Sequence, residues 1–586
     1  MGPFRIGAFQ NALRGPLSAR HTRRCMTRRF PDVAATTAAS SAAAHKTDEV
    51  PKVGDVLTLE CTSLAFGGRG VCKLPGGFVI FCDRALPGET LEARVTSLKR
   101  GGRFAEASKV SSTKPSEHRT AAPCPHFERC GGCTWQDVAY THQLTMKRDQ
   151  VVDVMTRVAK VDQARVQALV GRCLPSERTE RYRNKMEFAF GPGANGAGVV
   201  LGLRPSGNHS DLVEIGNPHG CLLQHPVADE VLRACRAHLD EKVRRNGDPS
   251  STRLSAFDRR TGRGILRSLT VRVATDERGG VAAMVDIAAA TRGDAEEAAL
   301  RGLAAVCAEV EGVASVVRTK IPPRPELRLA EGRAQGWVKG GRGGGRGRGK
   351  GGGRGGVKRG GVDADGEGWS GEDVEALSGG GTLPMTLRGV TFALSAPSFF
   401  QTNTGQAERL VAAVEDACGF SGDGTEVVLD LFCGVGTLGL CVAKKAKHVY
   451  GWEVVPEAVK DAERNAAANG IDNATFRRGD LAKLKASLPG VGGKGGGDLP
   501  KPDVVIADPA RAGMDESLVK VLTAIGAKRI VYVSCNPATQ ARDVLRLAGG
   551  NGGDGVRYEM RSCAPVDMFP HTPHVETVAV LERIDD

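Results

Sequence analysis

Apolar and polar positions along the chain follow three different rhythms. From Pro51 to about residue 109 the apolar residues come in short alternating runs cut by glycine turns: VLTLECTSLAF, GGRG, VCKLP, GG, FVIFC and LPGETLEARVTSLKR. Alternation with a period of two places side chains on opposite faces of a strand, and strands this short and closely spaced predict a small β-barrel. After Trp135 the stretch TWQDVAYTHQLTMKRDQVVDVMTRV carries apolar residues at helical spacing, while SLTVRVAT and VAAMVDIAA read as strands, so residues 116–337 predict a mixed α+β domain. From Glu426 onward strand-like and helical stretches alternate: EVVLDLF, LGLCVAKKA, HVYGWEV, PEAVKDAERNAAANG, ATFRRGD, DVVIADP and RIVYVSC. That alternation predicts a doubly wound, Rossmann-like parallel sheet, with Pro456 in the first turn of one helix and Gly470 as its stop.

Two segments lack any rhythm. Residues 338–381 contain KGGRGGGRGRGKGGGRGGVKRGG and a Gly-Asp-Glu run, which cannot bury a core and is expected to be disordered. The first 45 or so residues mix dispersed arginines with Ser, Thr and Ala, and their first acid is Asp32. This composition fits an organellar transit segment for a chloroplast or mitochondrion, the alternative being a basic arm that stays attached. The expected division of this multidomain α/β chain is therefore a leader at 1–50, a barrel at 51–115, a central domain at 116–337, an insertion at 338–381 and a doubly wound domain at 382–586. No run approaches the roughly 18 apolar residues of a membrane helix.

Charge changes the picture less than its total suggests. The net charge is +13, but seven arginines in residues 1–31 and eight lysines and arginines in residues 339–360, with no acid in either stretch, account for all of it. The rest of the chain is close to neutral, so an RNA-binding surface on the folded body must come from local clustering. Lys99, Arg100 and Arg103 form such a cluster at the end of the barrel, where a solvated strand edge is the alternative. The Arg-Gly tract can hold RNA phosphates without sequence preference or can be a passive insertion.

Sixteen cysteines in a long chain without an apolar signal-peptide core point to reduced thiols. Three stand apart by spacing: Cys124, Cys130 and Cys133 form C-x5-C-x2-C in PCPHFERCGGCTWQ. Three thiolates need a fourth ligand, and Cys221 in NPHGCLLQHP is the candidate, with His126 or His219 possible in a zinc site. Spacing leaves zinc and an iron-sulfur cluster both open.

In the doubly wound region the polar residues fall at the carboxyl ends of the expected strands, where such sheets bind ligands: Asp430, Glu453, Asp480, Asp508 and Cys535. Gly434 and Gly436 let the backbone pass close to a ligand, and Glu453, about twenty residues on, can accept both hydroxyls of a ribose. The third fingerprint glycine of dinucleotide enzymes is missing, which favours a nucleoside without pyrophosphate, such as S-adenosylmethionine. Cys535 ends an apolar strand in IVYVSCNPAT, and Asn536-Pro537 fixes the turn that aims its thiol, so it is the candidate nucleophile. Glu576, which begins an apolar strand behind a Pro-His-rich turn, is the candidate base, with His571 and His574 as competitors.

DLFCGVGTLGL, ADPARAG, VYVSCNPAT and DMFPHTPHVE resemble the signature motifs of the RNA (uracil-C5)-methyltransferases, in the branch that methylates 23S ribosomal RNA. The phrase RALPGETLEARV followed by GGRFAEA resembles the TRAM domain, an oligonucleotide-binding (OB-like) barrel. The likeness covers about residues 51–337 and 382–586. It implies a TRAM barrel, a central domain holding a [4Fe-4S] cluster and a C-terminal S-adenosylmethionine-dependent methyltransferase domain. It implies Cys535 as nucleophile and Glu576 as base, with donor contacts from Gln401, Phe432, Thr437 (often Asn in the family), Glu453, Asp480 and Asp508. It assigns Cys124, Cys130, Cys133 and Cys221 to the cluster, which favours iron over zinc. A nucleophile suits that reaction, because carbon 5 of uracil attacks a methyl group only after a thiolate has added at carbon 6.

The expected partner is RNA, ribosomal or transfer, with no membrane, no obligate protein partner and a monomeric state. The insertion at 338–381 and a glycine run at 491–497 depart from the compact family pattern without interrupting a motif. The rival readings are a noncatalytic RNA-binding protein, a DNA cytosine-C5 methyltransferase, whose nucleophile follows a proline, and a radical enzyme, whose cysteine spacing differs.

Overall fold

The computed structural model describes residues 50–99, 101–193, 198–207, 211–216, 219–246, 254–258, 261–276, 278–321, 373–479, 484, 499–549 and 556–584. The leader, most of the Arg-Gly insertion and Asp480 lie outside these residues.

Strands β1 (Val56–Leu64), β2 (Gly70–Lys73), β3 (Val79–Asp83), β4 (Thr90–Lys99) and β5 (Phe104–Lys114) close into a barrel in the order β1-β2-β3-β5-β4. The alternation in sequence is the alternation in space: Leu57, Leu59 and Cys61 point into the barrel core and Thr58 and Glu60 point out.

Helices α1 (Tyr140–Arg157) and α2 (Gln163–Leu169) follow. A seven-stranded sheet then combines β6 (Lys185–Pro192), β7 (Val199–Leu203), β8 (Val213–Glu214), β9 (Leu266–Thr275), β10 (Val281–Ala289), β11 (Val313–Lys320) and β12 (Val374–Gly379), in the order β12-β11-β10-β9-β6-β7-β8. Helix α3 (Pro226–Asn246) packs against this sheet, and α4 (Asp294–Ala308) makes the crossover that allows β10 and β11 to run parallel. Strand β12 corrects the expected limits of the insertion: residues 374–379 pair with β11, although composition had placed them in the unstructured run.

A hairpin of β13 (Thr382–Leu387) and β14 (Val390–Ser395) leads into α5 (Thr404–Cys418). The second large sheet contains β15 (Val427–Leu431), β16 (His448–Glu453), β17 (Ala474–Arg478), β18 (Val504–Ala507), β19 (Arg529–Ser534), β20 (Arg557–Val566) and β21 (Glu576–Ile584), interleaved with α6 (Thr437–Val442), α7 (Pro456–Ala468), α8 (Glu516–Ile525) and α9 (Pro537–Leu547). Its order is β17-β16-β15-β18-β19-β21-β20, parallel from β17 to β19, with β21 antiparallel to both neighbours. This departs from the six-stranded dinucleotide order 3-2-1-4-5-6 by the antiparallel strand inserted before the edge.

Helices α1 and α2 do not join the central sheet, as a continuous 116–337 domain would require. Val151, Met155 and Val166 are buried in one cluster with Tyr532, Leu547 and Met560 of the second sheet and its helices. Residues 170–174 then run beside β20, bridging Val170 to Cys563 and Leu174 to Val566. Burial of each such aliphatic side chain is worth about 1.5–3 kcal/mol, and the partner surface lies some 400 residues away in sequence.

Candidate active site

Register aligns the strand ends that carry the chemistry. Leu431 pairs with Ala507 and Ala507 with Tyr532, so Phe432 and Asp508 leave their strands side by side, with Cys535 two residues beyond that level at the end of β19. Antiparallel β21 meets β19 with Ser534 opposite Thr577, so the next step outward places Cys535 beside Glu576.

Cys535 lies in the turn between β19 and the amino end of α9. Asn536 caps that helix, its side chain accepting from the Ala538 amide at 3.2 Å, with Pro537 in the first turn. The side chain of Asn536 also donates to the Arg511 carbonyl at 2.9 Å, tying this turn to the one after β18. Burial raises the Cys535 thiol above its ordinary pKa, as do the carboxyls of Glu576 and Asp508, while the Arg511 guanidinium hydrogen-bonds to it and pulls the other way. A helix amino terminus likewise favours a thiolate.

Glu576 is 5% exposed, and burial together with the nearby Asp508 pushes its carboxyl up to about 8, against the pull of Arg511. Burial pushes Asp508 to about 7. Asp430 rises to about 8, from burial first and then from repulsion by Asp508 and Glu453, although the Gly439 amide donates to it at 2.9 Å. Asp508 repels the carboxylates of both Asp430 and Glu576, and a crevice with crowded acids of this kind is electrostatically suited to a cation.

The loop after β15 wraps this crevice. Phe432 adopts a left-handed φ of 63°, uncommon for a residue with a side chain, and its amide donates to the Trp452 carbonyl at 3.0 Å. Gly436 (φ 83°) caps α6, and a side chain there would press on Leu440 and Phe476 at 3.0 Å. Glu453 accepts from the amides of Gly434 at 3.2 Å, Val454 at 2.7 Å and Val455 at 2.9 Å, which fixes its carboxylate before any ligand arrives. Thr437 is the first residue of α6 and is half-buried. Gln401 lies just before α5, its carbonyl accepting from the Asn184 side chain at 2.9 Å. Asp480 belongs to the residues the structure leaves undescribed.

His571 and His574 part company. His571 is buried and engaged with Gln143, whereas His574 keeps an exposed edge while the surrounding protein desolvates much of its ring and, with Arg511, Lys147 and Arg183, holds it down to about 4. A histidine that stays neutral down to such acidity is a weak base, which leaves Glu576 better suited.

Cys124, Cys130, Cys133 and Cys221 line one cavity of 480 Å3, together with His126 and Arg183. Burial drives the Cys133 thiol up to about 12, and Cys221, Cys130 and Cys124 add to the rise, so the four sulfurs are electrostatic neighbours. Among the described residues no three His, Cys, Asp or Glu side chains converge at the spacing of a single metal ion.

Arg511 was not assigned a role by sequence reasoning. Its only signal was its place in ADPARAG, three residues after Asp508, and nothing local told that its guanidinium reaches both Cys535 and Glu576.

A doubly wound sheet with a pre-set, acid-lined crevice opening onto a cysteine–glutamate pair defines a group-transfer enzyme that takes a nucleoside-type donor. The family model described as tRNA (uracil-5-)-methyltransferase matches residues 380–584. An uncharacterized RNA methyltransferase of Halalkalibacterium halodurans is 32% identical, with 90% of this chain and 97% of that protein aligned. Another from Listeria innocua is 34% identical over 90% and 98%. Among solved structures, the Pyrococcus abyssi tRNA (uracil-54, C5)-methyltransferase in complex with S-adenosyl-L-homocysteine superimposes with a TM-score of 0.59 at 25% identity, covering 89% of this chain and 99% of that one. The chain belongs to the RNA (uracil-C5)-methyltransferase family and is an RNA methyltransferase.

Proposed function

We propose that the protein moves a methyl group from S-adenosylmethionine to carbon 5 of a uridine in RNA through a covalent bond to Cys535. The observation that carries this reading is the register that sets Cys535 beside Glu576 at the mouth of the acid crevice. The donor carries a sulfonium cation, which answers the repulsion that Asp508 and Glu453 exert on the Asp430 carboxylate. In this reading Glu453 takes the ribose hydroxyls, and Phe432, Thr437, Gln401 and Asp508 contribute further donor contacts.

The Cys535 sulfur adds to carbon 6 of the uracil ring, and the electron pair displaced onto carbon 5 takes the methyl group, releasing S-adenosylhomocysteine. Glu576 as carboxylate then removes the proton from carbon 5, and the returning electron pair breaks the sulfur–carbon 6 bond. Arg511 stabilises the thiolate before attack and the Glu576 carboxylate before proton abstraction. A base poised near pH 8 is matched to a weakly acidic carbon proton. A stacked base must leave its stack to reach the site, so a loop or locally opened RNA is the expected target.

The preference for ribosomal over transfer RNA rests on the pairing of a small barrel with the four-cysteine cavity, which the resembled branch shares. A tetrahedral zinc site, with sulfurs about 2.3 Å from the metal, would bring the thiols within roughly 4 Å of one another. The 480 Å3 cavity lined by all four cysteines leaves room for a [4Fe-4S] cluster. Cys124, Cys130, Cys133 and Cys221 would hold it as thiolates; when bound it supplies a rigid cross-link among these four points. The leader is proposed to direct the chain to an organelle.

The test uses RNA containing 5-fluorouridine together with the methyl donor. Fluorine cannot leave as a proton, so the expected product is a denaturation-resistant protein–RNA adduct, absent in Cys535→Ala. No adduct with the native protein, or an adduct with Cys535→Ala, refutes the mechanism.

A further inference from the structure

Glu576 is delivered by the loop between β20 and β21, and partners from far away in sequence hold that loop in shape. Asp567, fully buried, pairs with the equally buried Lys147 of α1 and accepts from the Tyr140 hydroxyl at 2.8 Å. Lys147 also donates to the Phe569 carbonyl at 3.0 Å. His571 takes a left-handed φ of 68°, a conformation costly for a residue with a side chain and kept only where the surroundings impose it. Its carbonyl accepts two backbone amides, Thr134 and Trp135, each at 2.9 Å.

Gln143 closes the clamp. Its side-chain oxygen accepts from the His571 amide at 2.9 Å, and its nitrogen donates to the carbonyls of Trp135 at 2.9 Å and Val138 at 2.8 Å while facing His571 Nδ1 at 3.2 Å. Gln143 is wholly buried, so water cannot replace these bonds. Thr134, one of the residues so held, directly follows Cys133 on the cysteine-lined cavity. The barrel seals the other side of the loop: a side chain on Gly68 (φ 83°) would meet Pro573 at 2.6 Å and Trp135 at 3.0 Å. By contrast, the turn that carries Cys535 is fixed by Ser534, Asn536 and Arg511, and among the described residues no hydrogen bond joins these three to Tyr140, Gln143 or Lys147.

We propose that Gln143 is a positioning residue for Glu576, and that through it the proton-abstraction step depends on the integrity of the cysteine-lined cavity while thiol addition does not. Cys133 anchors Thr134 and Trp135, these grip His571, and His571 sets the path of the five residues that end at Glu576. The proposal rests on Glu576 being the base.

The test separates the two chemical steps on ordinary RNA in single turnovers, by following adduct formation and adduct resolution, with backbone hydrogen exchange of residues 567–575 as a readout independent of turnover. Gln143→Met keeps the volume and removes the amide. It is expected to slow resolution at least tenfold, change adduct formation less than twofold, and lower protection of the loop. Cys133→Ser is expected to shift both readouts the same way. His571→Asn tolerates the left-handed backbone and still offers an amide to Gln143, so it should retain most of the native rate.

Equal slowing of formation and resolution in Gln143→Met, or native loop protection and partition in Cys133→Ser, overturns the proposal. Should Gln143→Met fail to unfold cooperatively, Gln143→Glu decides, because it accepts from His571 but cannot donate to Trp135. If Glu576→Gln itself builds up no adduct, the assignment of the base fails, which is a different outcome from a failed clamp.

Discussion

The donor crevice and the loop that carries Glu576 lie at the same sheet edge but are built in opposite ways. The part of the crevice around Glu453 is made locally: Phe432, Gly434, Gly436 and Glu453 sit within a span of about twenty residues, and backbone amides of that span fix the carboxylate, with Asp508 added from the neighbouring strand. The Glu576 loop is made at a distance, by Tyr140, Gln143 and Lys147 more than 400 residues earlier. A site assembled from one short segment can be damaged only near itself, whereas one braced from afar transmits damage from the far partner.

The largest effect belongs to the chemistry that both regions serve. Glu576→Gln keeps the shape and removes the base, so release of methylated RNA should slow about 10²–10⁴-fold, the usual worth of a positioned general base, while the methylated adduct accumulates on ordinary RNA. Normal multiple turnover, measured as labelled methyl in RNA freed from the protein, would exclude Glu576.

Next comes the brace. Lys147→Met strands the buried Asp567 carboxylate without its cation, which should destabilise the fold by about 3–5 kcal/mol. Denaturant unfolding checks this, and the double change Lys147→Met with Asp567→Asn should recover a large part of the loss because no buried charge is then left unpaired. A loss below about 1 kcal/mol for the single variant would mean the loop is held locally after all, like the crevice.

These two regions also mark what the sequence disclosed. The strand ends with their acids, the caps of α7 and the pairing of a cysteine turn with a late glutamate were legible because each is written in contiguous residues with a strong period or a turn signal. The limits of the insertion were misread, since β12 lies in glycine-rich company and gains its order only from pairing with β11. The placement of α1 was also misread: its apolar face at Val151 and Met155 announces burial but not the surface it is buried against. Arg511 lay inside a motif but its reach to Cys535 depends on the register of β18 and β19, which no local pattern states.

A smaller, pH-dependent effect contrasts the crevice with the barrel. The carboxyls of Glu576 and Asp430 are held near 8 and that of Asp508 near 7, above the 4–4.5 they have when unfolded. A group raised in the folded state gives its full stabilisation below its unfolded pKa and loses it as pH climbs through the folded value. The melting temperature should therefore fall as pH rises from about 5 to 8, and Glu576→Gln should flatten that fall and melt higher than the native protein at pH 8.5. Glu89 in the barrel behaves oppositely: Arg119 and Lys109 hold it down to about 2 despite burial, so its contribution is lost only as pH drops from about 4 toward 2. A native melting curve that rises between pH 5 and 8 would contradict the crowding of acids in the crevice.

The smallest effect tests how local the nucleophile's own setting is. Asn536 caps α9 through the Ala538 amide and reaches the Arg511 carbonyl through its other side-chain atom, so it joins the cysteine turn to a cation that acts on both Cys535 and Glu576. Loss of the cap in Asn536→Ala costs about 1 kcal/mol, a few degrees of melting temperature at most. Freed from its tether, the Arg511 turn should hold its guanidinium less closely over the sulfur, so the thiol should titrate higher and adduct formation should need a more alkaline pH, while adduct resolution in the same RNA changes less. That is the mirror image of the pattern expected for Gln143→Met. If both variants slowed the same step, the nucleophile and the base would share one support, and the contrast between a locally built and a distantly braced half of the active site would be lost.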